Sequence, residues 1–259
     1  MRNAGGETQP AIGGIKDGQL TSRELRAAGR WGALKAVAAN DSGAFLATGA
    51  GGLTESGLRG YPLLSFTSDL DLVPGTDSGV LIDPRENCQF QMADIAINGD
   101  FNTTIGTLWG CDSAPETFAV VVAQQYPSLL AHDKFGSEPG RPGEGAVRVL
   151  PRRGLDWRGR SIAVDSQGRL VLAGTALRTA AGMGWAGSPE LTTPRPLTAR
   201  LLPDGSIDPA FAVNALALRN SKWAWTVQDA GIDQFDRPVL LGTAVSEGGT
   251  EIRLVRLLG

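Results

Sequence analysis

The sequence predicts an all-β protein: a β-propeller of about four four-stranded blades, its last blade closed by the N-terminal segment. Three observations carry this reading. A six-residue step bounded by glycine or aspartate recurs four times along the chain. Each step is followed, after a variable loop, by another short apolar run. The start of the chain carries a displaced copy of a turn that the last unit lacks. Self-similar, turn-rich units of strand-length apolar runs point to blades rather than to helical solenoids.

The steps run from Gly43 to Gly49, Asp100 to Gly106, Gly168 to Gly174 and Asp236 to Gly242, and a small residue follows each: Ala50, Thr107, Thr175 and Thr243. Each step is preceded by an apolar run, at 34–39, 92–97, 162–164 and 227–232, which predicts a hairpin about each opening residue. Third strands are expected at 62–66, 118–123, 197–202 and 252–258, and weaker fourth strands at 80–82, 146–150 and 213–218. The blades are then approximately 31–84, 88–151, 157–219 and 224–259 plus 11–28, within one domain spanning 1–259.

The fourth unit reaches Gly259 without an outer strand. Ile15-Lys16-Asp17-Gly18-Gln19-Leu20-Thr21 lines up with Leu202-Pro203-Asp204-Gly205-Ser206-Ile207-Asp208, so the N-terminus is expected to complete that blade. Closure of this kind leaves no exposed sheet edge. The alternative is a piece of a longer array, and residues 11–15 also resemble a third strand, which 252–258 already supply.

Composition sets the outer bounds. With 259 residues, 42% hydrophobic and 20% charged, the chain suits a globular protein with a sizeable core, and 35 glycines suit many tight turns. A net charge of −3 gives no electrostatic case for nucleic acid or an anionic membrane surface. No run approaches the roughly 20 apolar residues of a membrane span, and the start has no apolar segment of the signal-peptide type. Arginine supplies nearly all the positive charge, as coding bias of a GC-rich genome would produce.

The third unit, through Ile162-Ala-Val-Asp-Ser-Gln-Gly-Arg-Leu-Val-Leu-Ala-Gly174 and Ala199-Arg-Leu-Leu-Pro-Asp-Gly-Ser-Ile-Asp-Pro-Ala-Phe211, resembles the delta-sixty repeat family. The fourth unit matches at 236–242 and 252–257, whereas Leu70-Asp71 and residues 128–135 are only echoes of the Asp-Gly-Ser-Ile-Asp turn. The resemblance implies a bacterial propeller scaffold, often secreted or surface-associated, and no catalytic motif to transfer. The expected localisation is therefore extracellular, cell-surface or periplasmic.

Few residues suggest chemistry. Cys88 and Cys111 sum to 199, as cross-strand partners would in a hairpin turning at Gly99-Asp100, and a disulfide there would indicate an oxidising compartment. The alternative is two free buried thiols, and the spacing fits no zinc site. His132 is the only histidine and is expected as a surface turn residue rather than a general base. No nucleophile elbow, phosphate loop or dinucleotide fingerprint is present.

Asp94 and Asp229 fall at matching positions of the innermost strands, with Ala36 and Ser161 in the other two units. Two carboxylates aimed at one channel could hold a cation such as calcium or raise one another's pKa; the alternative is plain hydrogen bonding to neighbouring backbone. No other cofactor is implied. Trp31, Trp157 and Trp225 lie eleven or twelve residues before their anchors, which argues for packing between blades. Tyr61, Trp109 and Trp185 stand outside that pattern as candidate binding aromatics, Trp185 in the Gly- and Pro-rich loop 180–196.

The function expected is a binding or scaffold module that contacts a protein or glycan through its loops, particularly 49–61 and 180–196. A structural subunit of a larger assembly is the alternative, including a homo-oligomer such as a dimer completing eight blades. A propeller hydrolase or lyase using a channel-bound cation is a further alternative, against which the sparse His and Cys inventory counts.

Overall fold

The computed structural model describes residues 11–16, 19–24, 33–40, 43–50, 52–53, 59–74, 89–99, 101–110, 119–126, 128–136, 146–149, 155–178, 192–212, 224–246 and 248–257. Among them the fold is all-β apart from one turn of helix, α1 (Pro209–Ala212). Four antiparallel sheets follow one another along the chain. Sheet 1 contains β3 (Leu34–Ala39), β4 (Phe45–Gly49) and β7 (Leu63–Phe66), with a small hairpin of β5 (Gly52–Leu53) and β6 (Arg59–Gly60) between β4 and β7. Sheet 2 contains β8 (Gln89–Asn98), β9 (Phe101–Trp109), β10 (Ala119–Gln125) and β11 (Ala146–Val149). Sheet 3 contains β12 (Leu155–Val164), β13 (Leu170–Arg178) and β14 (Thr192–Leu201), and sheet 4 contains β15 (Ala224–Ile232), β16 (Pro238–Ser246) and β17 (Gly249–Arg256).

The first strands of the sheets stand side by side, β3 against β8, β8 against β12 and β12 against β15. This is a propeller-like arrangement, with the first strand of each sheet innermost. Its core lies in layers between successive faces, because alternate residues of a strand point to opposite sides. Leu46 and Leu63 of sheet 1 meet Met92 and Val121 of sheet 2. Ile105, Val120 and Val122 of sheet 2 meet Trp157, Ile162 and Leu172 of sheet 3. Ala173 of sheet 3 and Phe211 meet Trp225, Val227 and Leu240 of sheet 4. The indoles of Trp157 and Trp225 are buried in these layers, as their spacing predicts, while Trp31 lies outside the described residues.

The hairpin turns explain the opening residue of three of the four steps. Gly43, Gly168 and Asp236 occupy left-handed backbone with φ of 78°, 74° and 58°. In the third unit, Asp165 Oδ1 accepts the backbone N–H groups of Gln167 and Arg169, and its Oδ2 lies 2.6 Å from Arg169 Nε. Asp233 does the same for Phe235 and Arg237. Neighbouring turns are joined: Ser166 N donates to Asp236 Oδ1 at 3.0 Å, and Ser166 Oγ also bonds Asp236 Oδ2.

The turns after the third strands share one geometry despite their divergent sequences. Leu202 N–H reaches Ser206 O, Thr67 N–H reaches Asp71 O and Tyr126 N–H reaches Leu130 O. Gly205 is left-handed in the first, and Leu70 and Leu129 take that place at φ 64° in the others. A leucine there is sterically costly, yet units one and two hold the same turn without the glycine-based signature.

The fourth strands and the N-terminal segment stand as follows. Of the fourth strands, β11 forms as expected, and 80–82 and 213–218 lie outside the described residues. The N-terminal segment makes its own hairpin: β1 (Ala11–Lys16) pairs with β2 (Gln19–Glu24), from Ala11↔Glu24 to Lys16↔Gln19. Among the described strands neither of them pairs with β17, whose partner is β16.

Candidate functional site

Each inner strand breaks register at the same level. The slips fall between Leu34 and Ala36, Met92 and Asp94, Gly159 and Ser161, and Val227 and Asp229. The residue before each slip pairs with the closing glycine of the step, as in Gly159↔Gly174 and Val227↔Gly242. A Cβ on Gly174 would stand 2.1 Å from the carbonyl oxygen of Arg158 and 2.6 Å from the indole nitrogen of Trp157. At Gly49, Gly106 and Gly242 the corresponding carbonyl would be 2.2, 2.4 and 2.3 Å away. The recurrent glycine therefore marks a contact between backbones, and the bulge beside it re-aims the next side chain.

Those next side chains are Ala36, Asp94, Ser161 and Asp229, the positions matched in the sequence. Three of them converge. The buried Ser161 hydroxyl lies 2.8 Å from Asp94 Oδ2 and 2.8 Å from Asp229 Oδ1. Ile162 N–H donates to Asp94 Oδ2 at 3.0 Å, and Ile95 N–H to Asp94 Oδ1 at 2.8 Å. Ala230 N–H donates to Asp229 Oδ1 at 2.8 Å. Sheets 2, 3 and 4 are thus tied at one oxygen atom.

Proton counting sharpens the picture. A serine hydroxyl has one proton, so it cannot donate to two carboxylates at once. One carboxyl must return a proton to Ser161 Oγ for both contacts to be hydrogen bonds. Burial pushes the Asp94 pKa up, against the hydrogen bonds from Ile162, Ser161 and Ile95, and the charge of Asp229 adds to the rise. Asp94, the more buried of the two, is the one whose surroundings favour the protonated form.

The two aspartates come together as expected, but around a hydroxyl and three backbone N–H groups. Among the described residues no cluster of three or more His, Cys, Asp or Glu side chains completes a cation cage. The arrangement fits a clamp between strands better than an ion site. Ser161 was visible in the sequence as the matching residue of unit three, but its bridging role required the through-space placement of all three sheets.

The candidate aromatics fare differently. Tyr61 does not offer a surface contact. It is fully buried between sheets 1 and 2, where Gln125 Nε2 donates to its hydroxyl at 2.8 Å and Thr104 Oγ1 lies 3.3 Å away. Its place at the foot of β7, among Leu46, Leu63 and Val121, makes it a core residue. Trp109 ends β9 and is half-buried, and Trp185 lies outside the described residues.

Cys88 and Cys111 also lie outside the described residues. The register that pairs them, Asp94↔Ile105 to Asn98↔Phe101, shifts by one below the bulge, giving Met92↔Gly106 and Gln89↔Trp109. The arithmetic that set the cysteines directly opposite therefore does not run through to their end of the hairpin. His132 is not a surface residue. It is buried, stacked 4.2 Å from Phe101, edge-on to Tyr126 at 5.1 Å and 2.6 Å from Gln124 Oε1 through Nδ1.

The outer face of sheet 4 is the feature the sequence reading missed. Leu241, Val245, Ile252 and Leu254 are 39%, 58%, 82% and 71% exposed. The pairs Leu241↔Leu254, Thr243↔Ile252 and Val245↔Thr250 put them on one side of the sheet, opposite the side that Leu240 and Ala244 pack onto sheet 3. The signal was the alternation of Ile252, Leu254 and their charged neighbours Glu251 and Arg253, which reads equally well as an ordinary half-buried strand.

No family model and no curated protein matches the chain. Among solved structures it is similar to a glucose dehydrogenase, at 14% identity and a TM-score of 0.45 over 87% of this chain and 61% of that one. It is also similar to an exo-1,5-alpha-L-arabinanase from a bovine ruminal metagenomic library, at 9% identity and a TM-score of 0.31 over 85% and 91% of the two chains. A third is the native Bacillus subtilis arabinanase Arb43A, at 12% identity and a TM-score of 0.33 over 86% and 93%. The chain spans 61% of the length of the glucose dehydrogenase. Resemblance at this level assigns no activity.

Proposed function

We propose that this protein is a four-bladed, propeller-like binding or scaffold module that engages a protein partner, and that the outer face of sheet 4 is the surface it uses. The observation that carries the reading is the contiguous apolar strip of Leu241, Val245, Ile252 and Leu254. Exposed apolar residues are ordinary singly, whereas a contiguous patch of them marks an interaction surface. The carboxylate pair is better read as a clamp than as a catalytic dyad, because three of its four oxygens are engaged by Ser161 and backbone N–H groups. Placement outside the cytoplasm is part of the proposal and is supported by the delta-sixty resemblance.

The reading is tested by capturing partners from the native source on the intact protein and on Ile252→Asp/Leu254→Asp. A partner held by the first and lost by the second supports it. Saccharide or protein binding that survives both substitutions would move the function to the loops. Thiol titration under denaturing conditions tests the placement, since two free cysteines would remove the disulfide from the case for an oxidising compartment.

A further inference from the structure

We infer that the docking of sheet 4 on sheet 3 is gated by pH, tightest in an acidic window and looser on either side of it. Sheet 4 is the leaf free to move. Sheet 3 packs on one of its faces, while Leu241, Ile252 and Leu254 stand exposed on the other. Sheets 2 and 3 are each packed on both faces. Polar ties cross from sheet 3 to sheet 4 at several levels. At the turns, Ser166 gives its N–H and its hydroxyl to the Asp236 carboxylate. At the bulges, Ser161 Oγ lies 2.8 Å from Asp229 Oδ1. Below the bulges, Val227 N–H donates to Thr175 Oγ1 at 3.2 Å. The first two involve carboxyl groups that gain and lose protons, and the third does not.

The two titrating ties respond in opposite senses. The turn tie needs an ionised Asp236: the bonds from Ser166 hold its pKa below the ordinary value, helped by the charge of Arg169 and opposed by that of Asp233. Its contribution is present above 3.8 and lost as pH falls through the lowered value. The bulge tie needs a proton, because the single hydroxyl proton of Ser161 cannot serve two ionised carboxylates. When both are ionised, geometry decides which one the hydroxyl keeps. Asp94 has a second bond across the sheets, from Ile162 N–H at 3.0 Å, whereas the other bond of Asp229 comes from Ala230 of its own strand. Loss of the proton therefore leaves Asp94 on sheet 3 and releases Asp229, and sheet 4 with it. Burial raises the Asp94 pKa, so this tie is complete below 3.8 and fades as pH rises through the raised value. The other charged groups near this level are Lys35 on β3 and Arg158 and Arg160 on β12, and neither aspartate forms an ion pair with them. β9 and β16 carry no charged residue, β13 has only Arg178 at its far end, and β14 has Arg195 and Arg200, the latter held by Asp208. Both ties hold together only in a window that brackets 3.8.

The test is amide exchange in the intact protein, followed by NMR as a function of pH and corrected for the intrinsic exchange rate. Val227 N–H reads the contact between sheets 3 and 4, and Ile162 N–H reads the contact between sheets 2 and 3 as the control. Protection at Val227 should peak at about pH 4 and fall about tenfold on either side, the scale of one hydrogen bond, while Ile162 changes less. Asp94→Asn and Asp229→Asn each supply a proton at every pH, so either should abolish the fall on the rising side. Asp236→Asn suits the left-handed backbone at φ 58° and should abolish the fall on the acid side. Protection at Val227 that does not vary with pH overturns the inference. A fall shared equally by Ile162 also overturns it, because the opening is then global. A fall on the rising side that survives both clamp variants overturns it as well, since the shared proton is then not what holds the leaf.

Discussion

Ser161 Oγ and Asp94 Oδ2 lie 2.8 Å apart across two sheets, with Asp229 Oδ1 at the same distance on the far side of the hydroxyl. One oxygen thereby ties three inner strands at the level of their bulges. Removing it should be felt well beyond one hydrogen bond.

Ser161→Ala leaves two carboxyl groups facing each other with no bridging hydroxyl. Hydrogen bonds contribute about 0.5–1.5 kcal/mol each and those to charged groups about 1.5–3, so losing both contacts should cost about 2–3 kcal/mol. Thermal unfolding should show a clear fall in midpoint. Ala36→Ser, at the matching position of sheet 1, should give no comparable gain, because no carboxylate of the described clamp reaches it.

The pH profile should have opposing limbs. The raised pKa of Asp94 means the folded state binds its proton more tightly than the unfolded chain does. That contribution is complete below the ordinary carboxylate value of 3.8 and fades as pH rises through the folded pKa. Asp233 runs the other way: Arg237 holds it down at about 2, so its contribution is present above 3.8 and lost as pH falls toward 2. Asp94→Asn should remove the loss on the rising side and leave the acid limb in place. A variant whose rising limb matched wild type would refute the shared proton.

Closing glycines should tolerate no side chain. Gly174→Ala sets a Cβ 2.1 Å from Arg158 O, which backbone must move to relieve. Overpacking of this kind costs about 1–3 kcal/mol or more. Gly231→Ala meets nothing within 4 Å and has no left-handed φ, so it should be neutral or slightly stabilising. Chemical denaturation of the pair separates contact from general intolerance.

Asp165→Ala should cost more than an exposed turn substitution. Its carboxylate is buried and accepts two backbone N–H groups as well as Arg169. Their loss leaves those donors unsatisfied, at about 1–3 kcal/mol, and hydrogen exchange at Gln167 and Arg169 should quicken.

Much of this was written in the chain because it is local. The six-residue step is legible since a left-handed residue opens three of the four steps, at Gly43, Gly168 and Asp236, and a backbone contact forces glycine at the close. Asp94, Ser161 and Asp229 could be aligned for the same reason. What could not be read depends on backbone that sequence spacing treats as regular. The bulge at Ala93 shifts the register that would oppose Cys88 and Cys111. Leu70 and Leu129 hold a glycine's conformation without its signature. Tyr61 looked like a loop aromatic because the strand that buries it, β10, lies some sixty residues away and meets it only in space.

The account's central claim is that the face of β16 and β17 is where this molecule binds. Hydroxyl-radical footprinting of the protein alone and of its complex with captured partner reads it directly at Leu241, Val245, Ile252 and Leu254. Those four side chains should react in the protein alone and become protected in the complex, while buried Leu170 stays unreactive throughout. Four side chains equally reactive with and without the partner would contradict it.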